Sequence, residues 1–381
     1  MKLGELLLQT SYELQYTPED WARKLNVSTD EVEEYFLGTK EIPVLSFFQL
    51  IHHSYSDYEK KKSIFTVYMD SIRSATNFLY AMELTEQHGE IEILMMIIEK
   101  AMKSEDPLVQ EWAEMYALSL KKDEAFEDDL LYTAKKATLK SNEMKIFLET
   151  IRTQLLHKLN ANITIDKLAD ENSHNLEKID NQFFKSAFQL RLHVSSIYST
   201  LRLNLVGKVR RIGEMYSNDE TTKVYFPIRY CHILHYYALS FLYEDPYKAL
   251  ELIHESDAIL KNIPNNRGRF YINENRKSKA FIKNVWEIDQ PEPDDIPEKI
   301  HYYIAKGDMK KAQALLVDLA KIQPLTPFQD YYWGVAFSDE DALQRSYERF
   351  RSNGDFFFAV LPIRALSKMS LEKLKEKKIK N

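Results

Sequence analysis

Apolar residues recur along this chain at three- and four-residue spacing, in short runs separated by polar turns. That is the pattern of amphipathic helices, not of alternating strands. The first runs predict helices over 3–13, 18–25, 29–37 and 44–53. Thr17-Pro18-Glu19-Asp20 is a helix start, with threonine as N-cap, proline at the first helical position and acids in the first turn. Ser28 and Glu31 have the spacing of a capping box. Trp21, Ala22, Leu25, Val27, Val32 and Phe36 are placed to bury one face of two helices meeting at a tight turn. Phe47, Phe48, Leu50 and Ile51 complete a small core. From residue 57 the pattern becomes helix, short turn, helix: Asp57–Asp70, Ile72–Thr85, Glu90–Met102, Leu108–Leu120, Ala125–Ala137 and Asn142–Leu159. Residues 160–182 are more polar and less regular, a candidate hinge, and long helices are expected near 183–204 and 223–243.

The C-terminal half is more specific. Ile304-Ala305-Lys306-Gly307-Asp308-Met309-Lys310-Lys311-Ala312 reads as helix, Gly-Asp turn and helix with a small residue at the crossing, as in tetratricopeptide (TPR) repeats. Asp245-Pro246-Tyr247-Lys248-Ala249 and Ser338-Asp339-Glu340-Asp341-Ala342 fill the same place. Their alanines stand 63 and 30 residues from Ala312, about two periods and one period of such an array. The expected fold is all-α, an N-terminal helix-turn-helix followed by a TPR-like α-solenoid. The expected divisions are 1–56 for the helix-turn-helix, 57–160 for N-terminal repeats, 161–367 for TPR-like repeats and 368–381 for a capping or dimerisation tail. In a Cro-type helix-turn-helix the second helix enters the major groove, which makes Lys24, Ser28, Thr29 and Lys40 the candidate DNA contacts. Lys60-Lys61-Lys62 is a flanking basic run.

Composition narrows the function. Only 9 glycines occur in 381 residues, roughly 2% against an average near 7%. No G-x-G, G-x-x-x-x-G-K-[ST] or G-x-S-x-G is present, so nucleotide-cradling loops and a hydrolase elbow are not expected. One cysteine, Cys231, excludes an intrachain disulfide. No apolar run is long enough to cross a bilayer and no secretory signal is evident, so a cytoplasmic protein without a membrane role is expected. The net charge of −7 argues against non-specific nucleic-acid binding by the bulk of the chain. Residues 1–56 hold four lysines and arginines against nine acids, a net of −5, and the second helix of the pair carries four of those acids and no base. His232 and His235 are three apart and could meet a metal, but they lie among tyrosines and leucines, where packed histidines are the commoner outcome. Glu298 and Gln329 occupy capping positions, in Asp295-Ile296-Pro297-Glu298 and Thr326-Pro327-Phe328-Gln329. Arg191, Arg202 and Arg229 sit in apolar or aromatic helices and require acidic partners, internal or on a ligand. No enzyme signature and no cofactor or metal site is read.

A set of segments in fixed order completes the reading: Glu143-Met144-Lys145-Ile146-Phe147, Arg191-Leu192-His193-Val194, Leu201-Arg202-Leu203-Asn204, Asn284-Val285-Trp286, then Ser352-Asn353 and Leu361-Pro362. Together these resemble the arbitrium receptors (AimR) of temperate Bacillus phages, within the group of quorum-sensing peptide receptors that includes the Rap proteins. The resemblance implies a homodimeric regulator that binds a double-stranded DNA operator and a short signalling peptide, and that acts in a lysis–lysogeny decision. A Rap-like alternative would grip a partner protein and bind no DNA. By position the resemblance implies peptide contacts at Thr200, Asn204, Arg229, Glu298, His301, Tyr331, Tyr332 and Asp355. Arg229 would anchor the peptide carboxylate, and Glu298 and Asp355 would hold a peptide arginine. Thr200 stands near a family asparagine, Gly354 is an extra turn residue before Asp355, and the tail is lysine-rich where the family's dimer helix is leucine-rich.

Overall fold

The computed structural model describes residues 3–121 and 139–380, all of whose regular structure is helical. The expected helix Ala125–Ala137 lies outside the described residues.

Four short helices, Leu3–Leu14, Pro18–Leu25, Thr29–Leu37 and Val44–Ser54, form the N-terminal unit. The capping box expected at Ser28 is present, and the Thr17 N-cap proves to be a second one: the side chains of Thr17 and Ser28 accept from the third residue on, and Asp20 and Glu31 return the bond. Trp21, Val32, Tyr35, Phe47 and Ile51 are buried together. This unit does not stand apart. Asn77, in helix Ala75–Gln87, accepts from the Val44 amide at 3.2 Å and donates to the Ile42 carbonyl at 3.1 Å and to Glu41 at 2.9 Å. One hydrophobic core runs from Leu6 to Leu361.

The rest is a solenoid of antiparallel helices, each packed mainly on its neighbours in sequence. The alanines expected at helix crossings, Ala249, Ala312 and Ala342, are fully buried. Gly334 serves the same need: a Cβ there would lie 2.5 Å from Leu343 Cγ. Gly307 takes φ +75° and Asp308 caps the helix that follows.

Two expectations are corrected. The candidate hinge is a regular helix, Asn162–Leu176, packed between helices Asn142–Lys158 and Gln182–Arg202. Its buried side includes Asn162, Ile165, Asn172 and Leu176, so asparagines stand in the apolar stripe and hide its period. Their amide nitrogens find acceptors: Asn162 donates to the Asn353 carbonyl at 3.2 Å and Asn172 to that of Leu168 at 2.8 Å. The single helix expected over 223–243 is two, Glu220–Tyr225 and Pro227–Leu239. Pro227 cannot donate and keeps Phe226 out of the helical region, at φ −132°, ψ 44°.

Candidate functional site

Where four helices meet, five charged side chains share one cluster, buried except at Arg267, whose side chain is 30% exposed. Helix Ala75–Gln87 places Glu83 and Glu86 three residues apart on one face. Arg191 donates to Glu83 through Nε and Nη2 at 3.1 and 2.8 Å, and through Nη2 to Glu86 at 2.9 Å. Its guanidinium lies over the Phe147 ring at 4.3 Å. Arg229, from helix Pro227–Leu239, reaches both oxygens of Glu86 at 2.8 Å. Arg267, from helix Asn266–Val285, donates to Glu86 Oε1 and to its carbonyl, each at 3.0 Å. The internal partners required for Arg191 and Arg229 are therefore Glu83 and Glu86.

Among the described residues three guanidiniums face two carboxylates, a count that leaves one positive charge in excess. The surplus falls on Arg229. Burial and the neighbouring Arg191 push its proton affinity down, against the pull of Glu86, and its Nε is buried without a hydrogen-bond partner among the described residues. Burial also opposes the charge of Arg191, but there Glu83 and Glu86 prevail and raise it.

From Arg229 a file of half-buried aromatic side chains runs toward Asp355. Tyr271 lies 2.9 Å from His232 Nδ1, the His232 ring is 5.1 Å from Tyr236, Tyr236 is 5.4 Å from Tyr198, and the Arg202 guanidinium sits 4.8 Å over Tyr198. Arg202 Nε then donates to Asp355 Oδ2 at 2.8 Å. Burial raises the Asp355 carboxyl above the usual range despite Arg202. His232 and His235 hold no metal position together with a third ligand among the described residues. Their partners are Tyr271 and, at 2.9 Å, Asn275, and burial keeps His232 neutral down to a pKa of about 3.

Four more expected contacts come together beyond this file. Tyr332 donates to Glu298 Oε1 at 3.3 Å, His301 Nδ1 lies 3.7 Å from Oε2, and Asn284 donates to Oε2 at 3.2 Å. The His301 ring stacks on Tyr332 at 4.6 Å and meets Tyr331 edge-on at 6.1 Å. Asp295 caps Glu298's amide at 3.4 Å, but Glu298 returns no capping bond, because its carboxylate turns inward to these partners. Gln329 does form the box expected of it. Thr200 is buried and donates to Asp166 at 2.8 Å, while Asn204 is an exposed left-handed residue at the end of the same helix, φ +62°. Sequence reasoning passed over Glu86, Arg267, Asn284 and the aromatic file. Arg229, His232 and Tyr236 fall at i, i+3 and i+7, a single helix face that marks the inner surface.

In the N-terminal unit, Lys24 and Thr29 are exposed, Ser28 is occupied as a cap, and Lys40 is paired with Glu31. Helix Thr29–Leu37 buries Val32 and Tyr35 and turns Asp30, Glu33 and Glu34 outward.

A family model described as AimR transcriptional regulator-like matches residues 39–368. The chain belongs to the AimR transcriptional regulator-like family. It is thus a transcription regulator of the arbitrium-receptor kind. Two solved phAimR structures share the fold. One, ligand-bound, is 18% identical with TM-score 0.67 over 86% of this chain and 97% of that one. The other, a selenomethionine form, is 16% identical with TM-score 0.72 over 97% of both. An uncharacterised protein of Bacillus anthracis is 25% identical over 249 residues, 65% of this chain and 92% of that protein. No helix among the described residues is long and apolar enough to cross a membrane.

Proposed function

We propose that this AimR-like regulator binds a peptide of about six residues along the aromatic file, carboxylate toward Arg229 and a basic side chain toward Glu298 and Asp355. The observation that carries the reading is the unbalanced arginine cluster. A buried guanidinium with an orphaned Nε gains a counter-charge from a ligand carboxylate. His301, Tyr331 and Tyr332 supply ring faces beside Glu298, and Thr200 and Asn204 flank Arg202.

The output proposed is operator DNA binding by the N-terminal helices of a homodimer, in a phage lysis–lysogeny decision. Peptide would favour one arrangement of the solenoid and so shift the spacing of the paired readers. Helix Ala75–Gln87 is a direct route, since Asn77 near its start holds the N-terminal unit and Glu86 near its end holds Arg229. Helix Val360–Lys380 leaves Ile363, Leu371 and Leu374 exposed by 43, 60 and 56%, apolar surface for a second copy to cover. Calorimetric titration with synthetic hexapeptides that carry a free C-terminal carboxylate and an internal arginine tests the receptor half. Saturable binding is expected, and its absence from folded protein overturns it.

The outward acids of helix Thr29–Leu37 favour a second reading, in which the N-terminal helices grip a basic partner protein. Operator retardation by the purified chain separates the two.

A further inference from the structure

A second cavity, of about 310 Å³, opens away from the Glu298 cluster, between the N-terminal helices and the central repeats. Its walls are mostly apolar: Phe48 and Phe65 from the N-terminal side, Ile93 beyond them, and Val224, Ile259 and Ile263 from the far half of the chain. That size falls at the lower end for small-ligand sites.

The charged groups on the wall are matched, save one. Lys62 pairs with Glu90 and Glu92 at 3.6 and 3.4 Å, Lys223 with Glu220 and Glu255 at 2.8 and 3.4 Å, and Tyr58 donates to Glu90. Lys61 lines the same cavity and is partly buried, and its side-chain ammonium makes no hydrogen bond or ion pair with any described residue. Its surroundings register the unbalanced charge. Beside it, burial together with Lys61 and His53 lowers His52 to a pKa of about 4. Deeper in, burial, His52 and Lys61 lower His88 to about 3. Asp57, four residues earlier in the chain, is the acid that offsets Lys61, and only in part. An apolar chamber with one unanswered ammonium fits a molecule with an apolar chain and a single negative head.

We propose that this cavity binds a medium-chain carboxylate, its head on Lys61 and its chain among Phe48, Phe65, Ile93 and Ile263. The occupant would touch helices from both ends of a long sequence separation and so bear on how the N-terminal unit sits against the repeats. This does not depend on the peptide reading, whose residues lie elsewhere.

The test is calorimetric titration of the full chain with decanoate and, separately, with decanol. Decanoate is expected to saturate and to bind about tenfold more tightly than decanol, the worth of one charge-assisted bond. Lys61→Met, which keeps the stem, is expected to remove that advantage and leave decanol unchanged. Ile93→Trp, which fills the chamber, is expected to abolish both. Failure of decanoate to bind, equal affinity for decanol, or indifference to either substitution in a variant with wild-type helical content overturns the proposal.

Discussion

Replacing Glu86 by glutamine removes one negative charge from a cluster that already holds one too few. Glu86 is 4% exposed and is shared by Arg191, Arg229 and Arg267. Its loss leaves the buried Arg191, the nearly buried Arg229 and the partly exposed Arg267 with Glu83 as the one described carboxylate of the cluster. Breaking a buried pair by removing one partner costs about 3–5 kcal/mol, because the other charge stays buried and unanswered. With unfolding entropy near 2.1 cal/mol/K per residue, that corresponds to a fall in melting temperature of about 4–6 °C for a chain of this length. Arg229→Met is the informative contrast. It balances the cluster at two against two and removes a guanidinium whose charge burial already disfavours. It is therefore expected to cost less than about 1 kcal/mol, and added to Glu86→Gln it should return part of the loss. The assay is thermal and urea unfolding followed by circular dichroism at fixed protein concentration, on both single variants and the double. If Arg229→Met proves the more destabilising, or Glu86→Gln melts with the wild type, the charge accounting is wrong, and with it the reason for assigning Arg229 to a ligand.

Other expectations follow from the same geometry. Glu298→Gln keeps the shape and the Asn284 contact but loses the charge. It should weaken peptide binding by about tenfold, as should Asp355→Asn, and wild-type affinity by calorimetry would remove either from the site. His232 is held neutral to a pKa of about 3, below its unfolded value, so the unfolded chain takes up a proton first as pH falls. Its contribution is intact above about pH 6.5, and the loss reaches about 2 kcal/mol by pH 5. A His232→Phe variant whose melting temperature drops as steeply from pH 7 to 5 contradicts this. Neutralising the outward acids by Glu33→Gln with Glu34→Gln should tighten operator binding by about tenfold at low salt, and by less at high salt. Unchanged gel retardation would move the output toward a protein partner.

The sequence by itself determined the class and order of the elements. Helical spacing, capping residues and small alanines at crossings are local instructions, each readable within a turn or two of chain. That is why the Thr17 N-cap, the Ser28 capping box and the Gly307-Asp308 turn appear as expected. Helix Asn162–Leu176 escaped for an equally local reason, since buried asparagines, one bonded to distant Asn353 and one to its own helix, interrupt its apolar stripe. The tertiary structure alone decided what the charges do. Arg191 and Glu83 are 108 residues apart, Arg229 and Glu86 are 143 apart, and Arg202 and Asp355 are 153 apart. Nothing in the spacing along the chain selects these partners. The sequence requires an acid for each buried arginine, because an unpaired charge out of water is costly. Only packing of distant helices says which acid, and only that count leaves Arg229 and Lys61 without a full answer.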